Sequence, residues 1–324
     1  MSQDKGKFTG LSDKFSKHLD ALKAYLKKQA SSFKSEIKAE AAECVKPQGK
    51  YLRPLLVFAC APSSGPGDKS LLNRAATAEL IHLASLIHDD VIDNADLRRN
   101  KETVFKKYGA RTAILLGDAI FARAMEMAFM EKDEIVWKSS VCAVKTLCEG
   151  EVRQSLAKDK NLDFQKYVSI IEQKTASLFE FACFMGASLE KGSESDWSKA
   201  AQKAGRHLGT AYQIYDDICD WTTDESESGK TAGTDFIYEK HTLPLIVLLE
   251  RLPAKQARRL ESNLHGADPS EILAMMGECG VLEECFEVYK RQIKLARKAV
   301  AKFPKLNAAL LEFCDEMDSL LPEN

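Results

Sequence analysis

Apolar residues recur at three- and four-residue spacing along nearly the whole chain, and no stretch sustains the two-residue alternation of a half-buried strand. The spacing predicts helices over 11–42, 51–61, 69–95, 110–131, 134–157, 163–190, 195–221, 241–251, 254–264, 269–277, 281–303 and 305–320. Punctuation falls at APSSGPGDK (61–69), WTTDESESGKTAGTD (221–235) and HGADPS (265–270). The second of these is the longest polar stretch and follows an acidic cluster directly, which reads as a lid over a site. No Pro/Gly linker divides the chain and no short repeat is evident. The expectation is one all-α domain over 1–324, a helical bundle preceded by a polar start at 1–10.

Composition narrows this picture. With 9 prolines and 17 glycines in 324 residues, long helices are allowed and a many-turned β fold is disfavoured. Nine cysteines are scattered without a CxxC, which suits neither a disulfide framework nor a zinc site and fits a reducing cytoplasm. The polar start has no signal-peptide pattern, and apolar runs such as PLLVFACAP fall short of the ~20 residues that span a bilayer. A cytoplasmic location is therefore expected. The net charge of −2 gives no electrostatic reason to expect nucleic acid, so positive charge for an anionic ligand has to be concentrated locally.

Two acidic clusters carry the chemistry. In LIHDDVIDNADLRRN (86–100), Asp89 and Asp93 lie four apart and project from one helix face, with Asp90 beside them. Such a pair repels itself unless a cation offsets it. Arg98 and Arg99 follow at once. Hard carboxylate oxygens suit Mg2+ and guanidinium forks suit phosphate oxygens, although a solvated acidic helix end explains the first cluster alone about as well. The second cluster, YQIYDDICD (212–220), repeats the design: Asp216 and Asp220 are four apart, Asp217 is adjacent, and Gln213 precedes them. Its flanks are apolar, and charge among apolar residues needs a partner or a metal. A structural calcium site is the competing reading, but no EF-hand loop pattern is present.

Basic residues match. QGKYLRP (48–54) places Lys50 and Arg53 before an apolar helix, and EQKTASLF (172–179) places Lys174 and Thr175 inside one. Lys230 lies in the lidlike loop and Lys240 just beyond it. Taken singly, each of these two is ordinary solvated surface. His82 stands seven residues before Asp89 on the same face; alone, it reads as a satisfied core histidine.

Together GKYLRP, DDVID, LRRN, GARTAILLGD (109–118), EGEVRQ (149–154), KTASLF, LGTAYQIYDDICD (208–220) and GKTAGTDFIYEKHTLPL (229–245) resemble the polyprenyl synthetase family, the trans-isoprenyl diphosphate synthases, over roughly 45–250. The resemblance implies an all-α isoprenoid-synthase bundle around a deep cavity, usually a homodimer. It implies that Asp89, Asp93 and Asp216 bind the Mg2+ that holds an allylic diphosphate, with Asp90, Asp217 and Asp220 completing the acidic set for about three ions. Arg98, Lys174 and Lys230 would grip that diphosphate. Gly49, Lys50, Arg53, His82 and Arg99 would bind isopentenyl diphosphate, and Thr175 and Gln213 would line the reacting centre. Glu239 stands where a glycine usually precedes Lys240, and Gln48 where a second glycine is common.

The implied reaction ionises the allylic diphosphate, joins the cation to isopentenyl diphosphate in trans, and gives the released diphosphate a proton. Small residues at Ala84 and Ser85, before Asp89, favour a long-chain polyprenyl product from a farnesyl or geranylgeranyl starter, with Ile81 setting a limit. Such a product would need a membrane or carrier for release. A short-chain farnesyl or geranylgeranyl diphosphate synthase is the alternative, its floor supplied near Leu115 and Leu116. A terpene cyclase is a weaker one, because its second metal motif is not a second DDxxD.

Overall fold

The computed structural model describes residues 8–46, 49–99, 101–156, 163–222, 242–263 and 267–321. It is a helical bundle: α1 (Thr9–Lys14), α2 (Ser16–Ala30), α3 (Lys38–Cys44), α4 (Leu52–Cys60), α5 (Lys69–Ile92), α6 (Val104–Phe129), α7 (Glu134–Leu156), α8 (Phe164–Ile171), α9 (Ser177–Lys191) and α10 (Asp196–Thr222). Then follow α11 (Leu243–Arg251), α12 (Ala254–Ser262), α13 (Pro269–Glu278), α14 (Val281–Val300) and α15 (Ala308–Asp318). The buried apolar side chains form one continuous cluster. Among the described residues no helix is long and apolar enough to cross a membrane.

Four departures from the periodicity have local causes. The helix expected over 11–42 is three pieces. After α2 the Ser31 and Ser32 hydroxyls donate to the carbonyls of Lys28 and Gln29 (2.8 and 2.6 Å), drawing the chain out of the helix. α6 starts earlier than expected, at Val104, where Thr103 Oγ1 accepts from Lys106 N, and it kinks at Gly109 (φ 79°, ψ 162°). A π turn, Glu172–Ala176, separates α8 from α9. A two-residue hairpin, β1 (Leu97–Arg98) on β2 (Lys101–Glu102), pairs Leu97 with Glu102 and Arg98 with Lys101; it is too short for any periodic signal.

α5 is the helix that positions the first acidic cluster. Asp68 caps it by accepting from Ser70 N and Leu71 N (2.9 and 3.1 Å). Its residues are buried on all sides from Leu71 to Ile81, as expected of a central helix. Two of its polar members are paired within the protein: Arg74 donates to Glu131 (2.9 Å), Ser188 Oγ (2.6 Å) and the Met185 carbonyl (3.1 Å), and Asn73 donates to Glu131 (2.6 Å) and the Met127 carbonyl (2.8 Å). This network pins the start of α5 to α6 and α9. α9 in turn packs against α4, α5 and α10, so it sits between the two acidic helices.

Candidate active site

At the end of α5 the three aspartates have different surroundings. Asp89 and Asp93 are half-buried, and Asp93 N donates to the Asp89 carbonyl (2.8 Å), which keeps both in helical register. Asp90 is buried and accepts from Arg98 Nε (2.7 Å). Burial raises its pKa, with Arg98 opposing.

α10 repeats the division. Asp216 is exposed, Asp220 is half-buried, and Asp217, between them, is 3% exposed. The Asp217 carboxylate accepts from Tyr167 Oη (2.6 Å), Gln213 Nε2 (2.9 Å) and Leu243 N (3.2 Å). Gln213 Oε1 in turn accepts from Thr175 Oγ1 (2.7 Å). Asp217 therefore joins α8, α10 and α11, and through Gln213 it fixes Thr175. Of the acidic residues expected as ligands, Asp217 thus spends its carboxylate on three donors within the protein and Asp90 accepts from Arg98.

The π turn brings Lys174 and Thr175 to the same place. An added backbone residue per turn shifts side-chain directions, a device common at functional positions. Here it needs a close neighbour, since a Cβ on Gly209 of α10 would lie 2.5 Å from Ala176 Cα. Lys174 Nζ donates to Glu151 Oε2 and Gln154 Oε1 (both 2.9 Å), which explains the EGEVRQ segment on α7.

A basic cluster stands beside the acidic helices. Arg53 lies over the Phe179 ring (5.2 Å to its centre), Phe179 stacks on Tyr212 of α10 (5.5 Å), and Arg53 is within electrostatic range of Glu79, Tyr212 and Arg99. His82 is held well below its ordinary pKa by burial and by Arg53, Arg99 and Arg98, so it is a neutral imidazole here. Lys230, Lys240 and the expected lid beyond Thr222 lie outside the described residues. Glu79 and Tyr167 were missed at the sequence level. Glu79 had a signal, as an acid in the otherwise apolar run ATAELIHLASLI; Tyr167 had none.

Glu79 and Asp217 are both pushed up to about 7, chiefly by burial. A carboxyl whose folded pKa exceeds its unfolded one contributes stability that is present below the unfolded value and lost as pH rises through about 7. His82, held below its unfolded value, works the other way, costing stability as pH falls below about 6.5. Glu79→Gln removes one of the raised carboxyls. Its melting temperature relative to the unaltered protein should therefore become more favourable between about pH 5.5 and 7.5, measured without metal. A constant offset would contradict the burial of this acid.

Among the described residues no three acidic, histidine or cysteine side chains converge into a closed metal cage. The donor chemistry nonetheless fits a hard divalent ion. Mg2+ commonly takes one or two carboxylates and fills its shell with water and substrate phosphate, and Asp89, Asp93, Asp216 and Asp220 are carboxylates not buried away from such a shell.

The positions expected to govern product length are buried. Ala84 and Ile81 have no exposed surface, and Ser85 retains 8%. Leu116 is buried and Leu115 is 59% exposed.

Comparison with known proteins gives one answer. The Polyprenyl synthetase family matches residues 34–277. An octaprenyl diphosphate synthase of Haemophilus influenzae is 33% identical over 262 residues, 79% of each chain. A short chain isoprenyl diphosphate synthase of Methanothermobacter thermautotrophicus is 33% identical over 77% of this chain and 79% of its own. The crystal structure of polyprenyl synthase from Caulobacter crescentus CB15, complexed with calcium and isoprenyl diphosphate, superposes with a TM-score of 0.85 at 30% identity, covering 95% of this chain and 96% of that one.

Proposed function

The chain belongs to the polyprenyl synthetase family and is a prenyltransferase, and from that footing we propose that it adds isopentenyl diphosphate to a farnesyl or geranylgeranyl diphosphate, in trans, to give a long-chain polyprenyl diphosphate. What supports the site assignment is that α5 and α10, each ending in an acidic pair, both pack against α9, and that Arg53 lies within electrostatic range of Glu79 on α5 and Tyr212 on α10. Asp89 and Asp93 on one side and Asp216 and Asp220 on the other would hold Mg2+, about three ions. Bound there, the metal supplies charge neutralisation and Lewis acidity at the allylic diphosphate.

The chain's own residues do the rest. Lys174, braced by Glu151 and Gln154, and Arg98, braced by Asp90, grip the oxygens of the allylic diphosphate; Lys230 belongs to this set by its motif. Lys50, Arg53 and Arg99, with neutral His82 as an N–H donor, hold isopentenyl diphosphate against the Gly49 turn. Thr175 and Gln213, locked by Asp217, turn oxygen dipoles towards the centre where positive charge develops. The released diphosphate accepts the final proton. Water would quench the cation and has to be excluded; the polar stretch 221–235, most of which lies outside the described residues, is the sequence's candidate for that role.

A second copy of the chain completes the picture. α6 and α7 expose Ile114, Leu115, Val141 and Val152, an apolar face that suits a homodimer.

The long-chain reading leans on Ser85, the small residue four before Asp89 that retains surface. Incubated with Mg2+, isopentenyl diphosphate and farnesyl diphosphate, the protein should give products beyond geranylgeranyl diphosphate, and Ser85→Phe should shorten them towards farnesyl length while sparing the first condensation. An unaltered protein that stops at farnesyl diphosphate on chromatography would sink the long-chain reading and leave the short-chain one.

A further inference from the structure

Glu79 is the buried acid that the reaction as described leaves without a role. It is 3% exposed on α5, on the stripe that runs Glu79, His82, Leu86, Asp89 and Asp93 at three- and four-residue steps. Its electrostatic neighbours are Arg53 and Arg99, and Tyr51 also feels its charge. No direct ion pair joins it to either arginine among the described residues, so the three charges interact across a gap.

That gap is held by unusual backbone. Gly49 (φ 104°), Tyr51 (φ 52°) and Arg99 (φ 53°) are all left-handed, two of them without the freedom of glycine. Conformations of this kind persist where the surroundings force them and gather at ligand sites. The Arg99 guanidinium lies on the Gly49 backbone so closely that a Cβ there would meet Nη1 at 2.1 Å. Arg53 Nε is buried and has no hydrogen-bond partner. Two guanidinium groups thus stand near each other, one with an unused buried donor. Like charges so placed repel.

We propose that Glu79 is a positioning residue of the isopentenyl diphosphate site, its carboxylate holding Arg53 and Arg99 together so that both present N–H groups to one diphosphate. This rests on the function proposed above and goes beyond it in giving the basic cluster an internal counter-charge. The competing physical effect is plain: a carboxylate near a bound anion also repels it. If repulsion dominated, removing the acid would tighten binding.

Calorimetric titration of isopentenyl diphosphate into the metal-free protein, followed by steady-state kinetics near pH 8 with each substrate varied, separates these. Glu79→Gln keeps the shape and removes the charge. It should weaken isopentenyl diphosphate binding by about 30-fold and raise its KM similarly, as expected for truncating one member of a buried charge cluster. kcat and the KM of the allylic diphosphate should change by less than about threefold, since neither arginine is assigned to that substrate. Glu79→Asp, which restores the charge on a shorter stem, should recover part of the loss, and it decides the matter alone should Glu79→Gln fail to fold. Unchanged or tighter binding in the Gln variant, equal rises in both KM values, or no recovery in the Asp variant would each overturn the proposal. If the unaltered protein does not bind isopentenyl diphosphate, the site assignment falls and this proposal with it. If the unaltered protein binds and the variants bind as well, only the role of Glu79 falls.

Discussion

Replacing Asp216 by alanine should lower turnover by about 10³–10⁴-fold and leave the fold untouched. The side chain is exposed at the site end of α10, so its removal opens no cavity in the core. On the function proposed, what it removes is an oxygen ligand for a divalent ion whose charge would stabilise the departing diphosphate. That contribution is several kcal/mol, and each ~1.4 kcal/mol is tenfold in rate. Circular dichroism and the metal-free melting curve should overlay those of the unaltered protein, while single-turnover product formation at ordinary Mg2+ collapses. Asp89→Ala should behave alike, because Asp89 is the counterpart on α5. Near-normal rates in either variant would remove the metal site from these two helices.

Its neighbour should fail in the opposite way. Asp217→Ala leaves Tyr167 Oη, Gln213 Nε2 and Leu243 N without their shared acceptor. An orphaned buried donor costs ~1–3 kcal/mol, so the unfolding free energy should fall by roughly 3–5 kcal/mol, less than a simple sum because the site can relax. Activity should drop as a consequence, since the Thr175 hydroxyl is oriented by Gln213. Urea unfolding followed by fluorescence measures the first effect. Saturating Mg2+ distinguishes the two aspartates: it should not rescue the stability of Asp217→Ala in the absence of substrate. A variant that melts like the unaltered protein but has lost its Mg2+ dependence would make Asp217 a ligand after all.

Much of this site was legible without coordinates. Helical periodicity placed α4, α5, α7 and α10 to within a residue or two at most ends, because a helix facing a core must repeat its apolar positions at the period of the helix itself. The pairs Asp89/Asp93 and Asp216/Asp220 followed from the same geometry. The breaks were harder to read. Ser31 and Ser32 end α2 through their own hydroxyls, and serine is common enough inside helices that its presence alone does not announce a stop. The π turn that presents Lys174 and Thr175 leaves no trace in a pattern that tolerates a residue of drift.

The amino-acid order by itself determined the helical class, the two acidic ends and the basic turn, since each depends on residues within a few positions of one another. Tertiary packing decided which of two adjacent carboxylates meets solvent. Asp216 and Asp217 differ by one position, about 100° around the helix, and only the arrival of Tyr167 from α8 and Leu243 from α11 turns one of them into a buried hydrogen-bond hub. It also buried Ala84 and Ile81, whose small or apolar side chains say nothing about whether a neighbour or a cavity covers them. And it set Glu79 beside Arg53 and Arg99, residues 26 and 20 positions away along the chain, because a charge is compensated by whatever the fold brings near it in space.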